Sequence, residues 1–162
     1  MARETGIKRV VDNRKARHDY FIDDTFEAGI ALVGTEVKSL REGRMNLRDS
    51  YVEVRNGRRG SELYLVGAHV SPYDQGNIWN HDPRRPRKLL LHRHEIDRIA
   101  AKVHERGFTL VPTRVYFKDG RAKVEIGLAR GKKLYDKRHD IAARDAQRDV
   151  ERALRGRGED SG

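Results

Sequence analysis

Residues 113–128, Thr-Arg-Val-Tyr-Phe-Lys-Asp-Gly-Arg-Ala-Lys-Val-Glu-Ile-Gly-Leu, decide the architecture. Asp119-Gly120 in their middle is a two-residue hairpin turn. After it, Ala122, Val124, Ile126 and Leu128 alternate with Lys123 and Glu125, the period-two pattern of a strand with one face on a core. Before it, residues 108–111 and 113–118 read as strands broken at Pro112, which has no amide to donate. The signal recurs upstream. Phe26, Ala28, Ile30 and Leu32 share one face, and Val52 and Val54 mark a strand over 50–55. A turn at Asn56-Gly57 and Gly60, with Arg58 and Arg59 at its tip, leads back into a strand over 62–70. Helices are short. One follows an Asn13 N-cap over 14–19. Another covers 35–42, with Val37 and Leu40 three apart and Gly43 closing it. In a third, Ile96, Ile99, Ala100 and Val103 fall at i, i+3, i+4 and i+7 before Gly107. At least five strands joined by short turns, with two or three small helices, predict a mainly β, antiparallel barrel.

The chain has 162 residues, enough for one domain. Its formal charge of +10, with 37% charged residues, favours a polyanionic partner, with nucleic acid or the ribosome ahead of a membrane surface. No apolar run approaches the ~20 residues of a spanning helix, and no signal-peptide core follows Met1. The absence of cysteine excludes disulfides and thiol chemistry and fits a cytoplasmic chain.

The strongest candidate surface is residues 80–91, Asn-His-Asp-Pro-Arg-Arg-Pro-Arg-Lys-Leu-Leu-Leu. Arg84, Arg85, Arg87 and Lys88 form a basic strip stiffened by Pro83 and Pro86 and tied to the core by three leucines. Residues 14–19 add Arg14, Lys15 and Arg17 beside His18 and Tyr20, whose rings could stack on bases. Tyr73, Trp79 and Tyr135 also lie in polar segments, a mixture that suits single-stranded or irregular RNA. Catalytic signals are weak. His92 and His94, two apart, diverge on a helix, and neither belongs to a His-Glu-x-x-His site. Residues 127–133 only superficially resemble a phosphate cradle, lacking the Ser/Thr. No metal or cofactor is expected. A ribonuclease using His81 or His92 with Lys88 is the alternative class. Beyond Gly131 the chain is basic and its apolar stripe narrow, so 131–162 is expected to be disordered when free and helical on a partner, with 1–12 a flexible lead that includes a short docking strand.

Residues 13–22, 26–41, 82–91 and 123–138, in that order, resemble the SmpB (small protein B) family of bacterial transfer-messenger RNA-binding proteins. The resemblance implies an oligonucleotide-binding-like (OB-like) barrel of about six strands over 13–130, with flanking helices and a C-terminal tail. It implies a non-enzymatic role in trans-translation, in which the chain holds the transfer-RNA-like domain and stands in for the missing codon–anticodon pair on stalled ribosomes. Its partners would be transfer-messenger RNA, the small ribosomal subunit with its 16S rRNA and, through the RNA complex, elongation factor Tu. By the matching motifs, Glu27, Leu90, His92 and Lys123 would grip the RNA, with Arg87 and Lys88 adding phosphate contacts. Asn13, Lys15, Arg17, His18 and Tyr20, with Gly131, Lys132, Lys133, Tyr135, Asp136, Lys137 and Arg138, would face the decoding centre.

Overall fold

The computed structural model describes residues 6–73, 80–106 and 108–132. In chain order the elements are β1 (Ile7–Asp12), α1 (Arg14–Asp19), β2 (Tyr20–Ile30), α2 (Gly34–Arg41), β3 (Met45–Asn46), β4 (Tyr51–Gly57), β5 (Gly60–Val66), β6 (His69–Val70), β7 (Arg87–Leu90), α3 (Arg93–Arg106), β8 (Thr109–Lys118) and β9 (Arg121–Gly131). The fold is mainly β, with three helices among the described residues. Asp119 (φ 50°) and Gly120 (φ 80°) are both left-handed, as a primed hairpin turn requires. That turn sets the register of β8 on β9, pairing Lys118 with Arg121 and Tyr116 with Lys123.

The strands β8-β4-β5-β7-β2-β9 close back on β8 as a ring of six, all antiparallel. Closure between β4 and β8 rests on one register pair, Val52 with Leu110. Beyond it the same edge of β8 takes β1, from Arg114 to Lys118. Inward side chains from alternate strand positions, among them Ala28, Leu63, Leu65, Leu89, Val115, Val124 and Ile126, form one core with Leu40 of α2 and Ile96 and Ile99 of α3. Burying each large aliphatic side chain contributes about 1.5–3 kcal/mol.

Three departures from the sequence reading have local causes. β2 starts at Tyr20 rather than 26, because a bulge between Ile22 and Asp24 carries the β9 ladder past the Asp23-Asp24 pair. β8 is not broken at Pro112. It bulges between Pro112 and Arg114, where a missing amide is tolerated. The short docking strand expected within 1–12 is β1, paired from Ile7–Lys118 to Asp12–Arg114. The strand expected over 62–70 is split into β5 and β6 at Gly67, whose φ is +83° and where an added Cβ would sit 2.9 Å from the Asp49 carbonyl oxygen. Gly67→Ala is therefore expected to destabilise the fold by about 2 kcal/mol, read as a lower denaturant midpoint at unchanged slope.

Candidate nucleic-acid interface

Lys123, Gly29 and Leu90 stand side by side across β9, β2 and β7, with Tyr116 of β8 beside Lys123. Their sequence neighbours Val124, Ala28 and Leu89 are buried, so strand alternation turns this row outward. Glu27, two residues along β2 from Gly29, shares that outer face. Glu27, Gly29, Leu90, Leu91, His92, Glu95 and Lys123 line one open depression of about 500 Å³. Gly29 leaves its floor low, and Leu90, 52% exposed, supplies an apolar wall. Four of the expected RNA-gripping residues, drawn from three separate segments, thus meet in one place.

His92 precedes α3, and its amide donates to Glu95 Oε1 at 3.3 Å, half of a capping box. Because His92 is not itself helical, its ring does not diverge from His94. The two imidazoles stack at 5.7 Å between centroids and 9° between planes. Glu27 Oε2 accepts from the Tyr116 hydroxyl at 2.5 Å and from Lys118 Nζ at 3.5 Å. The Tyr116 hydroxyl, helped by Lys118 and Lys123 against the opposing effect of burial, holds the Glu27 carboxyl below its ordinary range. Burial, and then the bond to Glu27, push the Tyr116 phenol well above its own. Glu27 is therefore an ionised acceptor beside a cation at neutral pH.

The basic strip is only half a surface. Arg87 is fully buried, and all of its guanidinium donors are used. Nε donates to Glu36 Oε2 at 2.6 Å, and the remaining donors go to the carbonyls of Ala68, Arg85, Asp82 and Pro83. Arg85 grips the same carboxylate bidentately, at 2.6 and 3.1 Å, and the Val33 amide donates to it at 2.9 Å. Arg87 is thus a structural anchor rather than a phosphate contact. Arg84 and Lys88 are exposed, Lys88 with Glu62 at 3.5 Å. His81 is equally committed. Its Nε2 meets the Val70 carbonyl at 2.9 Å and its Nδ1 the Thr35 hydroxyl at 2.8 Å, leaving neither ring nitrogen for proton transfer to RNA.

A second face gathers at the far end of β2. Asn13 is buried, not presented. It caps α1 by accepting from the Ala16 amide at 3.1 Å, and its amide group donates to the Pro112 carbonyl at 2.8 Å. Ala16 packs with Val111 and Ala129, and Tyr20 and Ile22 cover them, so α1 is seated on β8 and β9. Lys15, Arg17 and His18 remain outward, Lys15 with Asp49 at 3.5 Å and Arg17 with Glu125 at 3.7 Å. The His18 side chain is 88% exposed. Tyr20 pairs with Gly131, and Lys132 Nζ lies 5.4 Å above the Phe21 ring. Trp79, Lys133, Tyr135, Asp136, Lys137 and Arg138, and the tail helix expected after them, lie outside the described residues.

The family model of the SmpB protein matches residues 10–156. The chain belongs to the SmpB family. SsrA-binding protein of Moorella thermoacetica is 64% identical over 152 residues, 93% of this chain and 96% of its own length. SsrA-binding protein of Desulforudis audaxviator is 61% identical, over 97% of this chain and 99% of its own. A solved chain described as "tmRNA-SmpB: a journey to the center of the bacterial ribosome" superposes with a TM-score of 0.62 at 54% identity, covering 75% of this chain and 83% of that one. In this SmpB member the sequence reading missed Tyr116, Lys118 and Glu95 around the depression. A signal for the first was available, since a two-residue turn at Asp119-Gly120 places Tyr116 opposite Lys123 by counting alone. Among the described residues no helix is long and apolar enough to cross a membrane.

Proposed function

We propose that this chain is an RNA-binding adaptor of trans-translation. Its depression holds the transfer-RNA-like domain of transfer-messenger RNA, and its α1 face, with the segment after Lys132, addresses the decoding centre of a stalled small ribosomal subunit in place of a codon–anticodon pair. Elongation factor Tu enters through the RNA. The reading rests first on the convergence of Glu27, Leu90, His92 and Lys123 in one depression, a mixture of acceptor, apolar wall, ring and cation that suits an irregular RNA surface. It is supported by relatives named for SsrA binding and by a solved relative described with tmRNA and the ribosome.

Competition between transfer-messenger RNA and ordinary transfer RNA in a gel shift tests it. Transfer-messenger RNA is expected to win at moderate salt, with equal competition sinking the proposal. Lys123→Met is expected to lower affinity and reduce the salt slope by ~0.7–0.9, the signature of one lost phosphate contact. An unchanged slope would place Lys123 on a base or ribose instead.

A further inference from the structure

Glu27 is held in place by the protein itself. Tyr116 and Lys118 reach it from β8, with β9 between, and both engage Oε2. Tyr116 is 4% exposed, and its ring lies 5.7 Å from the Arg114 guanidinium. Arg114 is tied to Glu125 at 3.0 Å, and Glu125 also accepts from the Thr113 hydroxyl. The phenol is therefore fixed on one side by packing and on the other by its bond to Glu27. Among the described residues Glu27 Oε1 accepts no hydrogen bond.

We infer that Tyr116, assisted by Lys118, is a positioning residue that aims Glu27 to accept from a hydrogen-bond donor of the RNA, either the amino or imino edge of an unpaired base or a ribose 2′-hydroxyl. The inference rests on the depression being the RNA site. A fixed, ionised carboxylate repels phosphate and has only acceptor capacity, so it rewards an RNA that brings a donor to that point. Lys123, the register partner of Gly29 on β9, takes the neighbouring negative charge. Glu27 thereby contributes discrimination, where the cations contribute affinity.

Tyr116→Phe keeps the ring and deletes the donor, and Lys118→Gln offers a second, exposed variant. Each is measured with Glu27→Gln and with the double variants, using a transcript of the transfer-RNA-like domain of transfer-messenger RNA from pH 8 down to about 4, so that the carboxylate range is covered. The ionisable groups around Glu27 are Tyr116 and Lys118 from β8, Lys123 and Glu125 from β9, and His92 and Glu95 across the depression. The signal is therefore the difference between each profile and that of Glu27→Gln. Tyr116→Phe is expected to weaken binding roughly 10-fold, the scale of one hydrogen bond to a charged group. It should move the acid-side loss of binding to higher pH, because Glu27 loses the donor that keeps it ionised, and it should cost nothing further on top of Glu27→Gln. A 2′-fluoro transcript separates the donors: the penalty persists on it for a base and vanishes for a ribose hydroxyl. Wild-type affinity and an unshifted profile in Tyr116→Phe, or an undiminished penalty in the Glu27→Gln background, would overturn the positioning role alone. Equal binding of ordinary transfer RNA by the unmodified chain would instead overturn the function on which it rests.

Discussion

Replacing Arg87 by methionine is expected to destabilise the fold by about 3–5 kcal/mol, a large share of the 5–15 kcal/mol typical of a domain. The substitution strands most of a polar cluster. Four carbonyls lose a donor, and Glu36, whose side chain is fully buried, keeps only Arg85 and the Val33 amide. At ~2–4 °C per kcal/mol for a chain of this size, melting should fall by roughly 6–20 °C. Glu36→Met combined with Arg87→Met is expected to regain part of the loss, because Arg85 is part-exposed and can turn to solvent, so no buried charge is left alone. Below its melting range the Arg87→Met protein should bind RNA nearly as the parent does. A melting change within about 1 kcal/mol would show the cluster to be slack, contrary to its geometry.

The same cluster sets an acid limit. Desolvation alone would raise the Glu36 carboxyl, but the bonds from Arg85 and Val33 and the charge and bond of Arg87 outweigh it and hold the carboxyl below 4.5. A carboxyl depressed in the folded state contributes stability that is complete above its unfolded value and is lost as pH falls through the folded one. Wild-type stability should therefore decline on acidification below about pH 5, and Glu36→Gln should flatten part of that decline. Glu125, also depressed although burial opposes it, adds to the same limb through Thr113 and Arg114.

Ending the chain after Lys132 is expected to separate the two proposed activities. The removed residues carry eight Lys or Arg against seven Asp or Glu, so they hold only +1 of the +10 formal charge. The electrostatic affinity for RNA should stay with the remaining body, and the salt slope of transfer-messenger RNA binding should change by less than one contact's ~0.7–0.9. Peptide tagging on stalled ribosomes should disappear. Cutting at Lys132 also keeps the whole β9 ladder, including Gly131 with Tyr20 and Arg130 with Phe21, so lost function could not be blamed on a frayed strand. If RNA binding vanishes with the tail, or tagging survives without it, the division of labour is wrong.

What the sequence revealed and what it concealed follow from the range of the interactions involved. The Asn13 cap, the Asp119-Gly120 turn and the α3 stripe are set by neighbours within a few residues, and all stand where their residues indicated. β7 shows the opposite. Its residues Arg87, Lys88, Leu89 and Leu90 alternate buried and exposed, so an arginine goes inward and a leucine outward. Nothing local distinguishes that from a solvated basic strip, because the carboxylate that makes Arg87 tolerable inside belongs to Glu36 on α2. Bulges hid β2 and β8 in the same way. Asp23-Asp24 and Pro112 interrupt the alternation in sequence, while in space each strand takes up one extra residue, Asp23 or Thr113, as a bulge against an uninterrupted run of its partner. Leu90 was marked by family resemblance, and its exposure on the outer wall could not have been counted from hydrophobicity.

The β2–β9 ladder carries one more consequence. Its register runs from Tyr20–Gly131, beside α1, to Gly29–Lys123, in the floor of the depression. With ~3.3 Å of rise per residue, the two ends stand at most roughly 30 Å apart. Every residue between them is paired or bulged in place, so the span works as a gauge block whose length is written in residue count. Adding or deleting one residue in it would alter the gap by a few ångström and turn one end's side chains from the outer wall into the core. Tolerance for changes of length should instead fall at the Arg58-Arg59 tip between β4 and β5, which lies off that ladder.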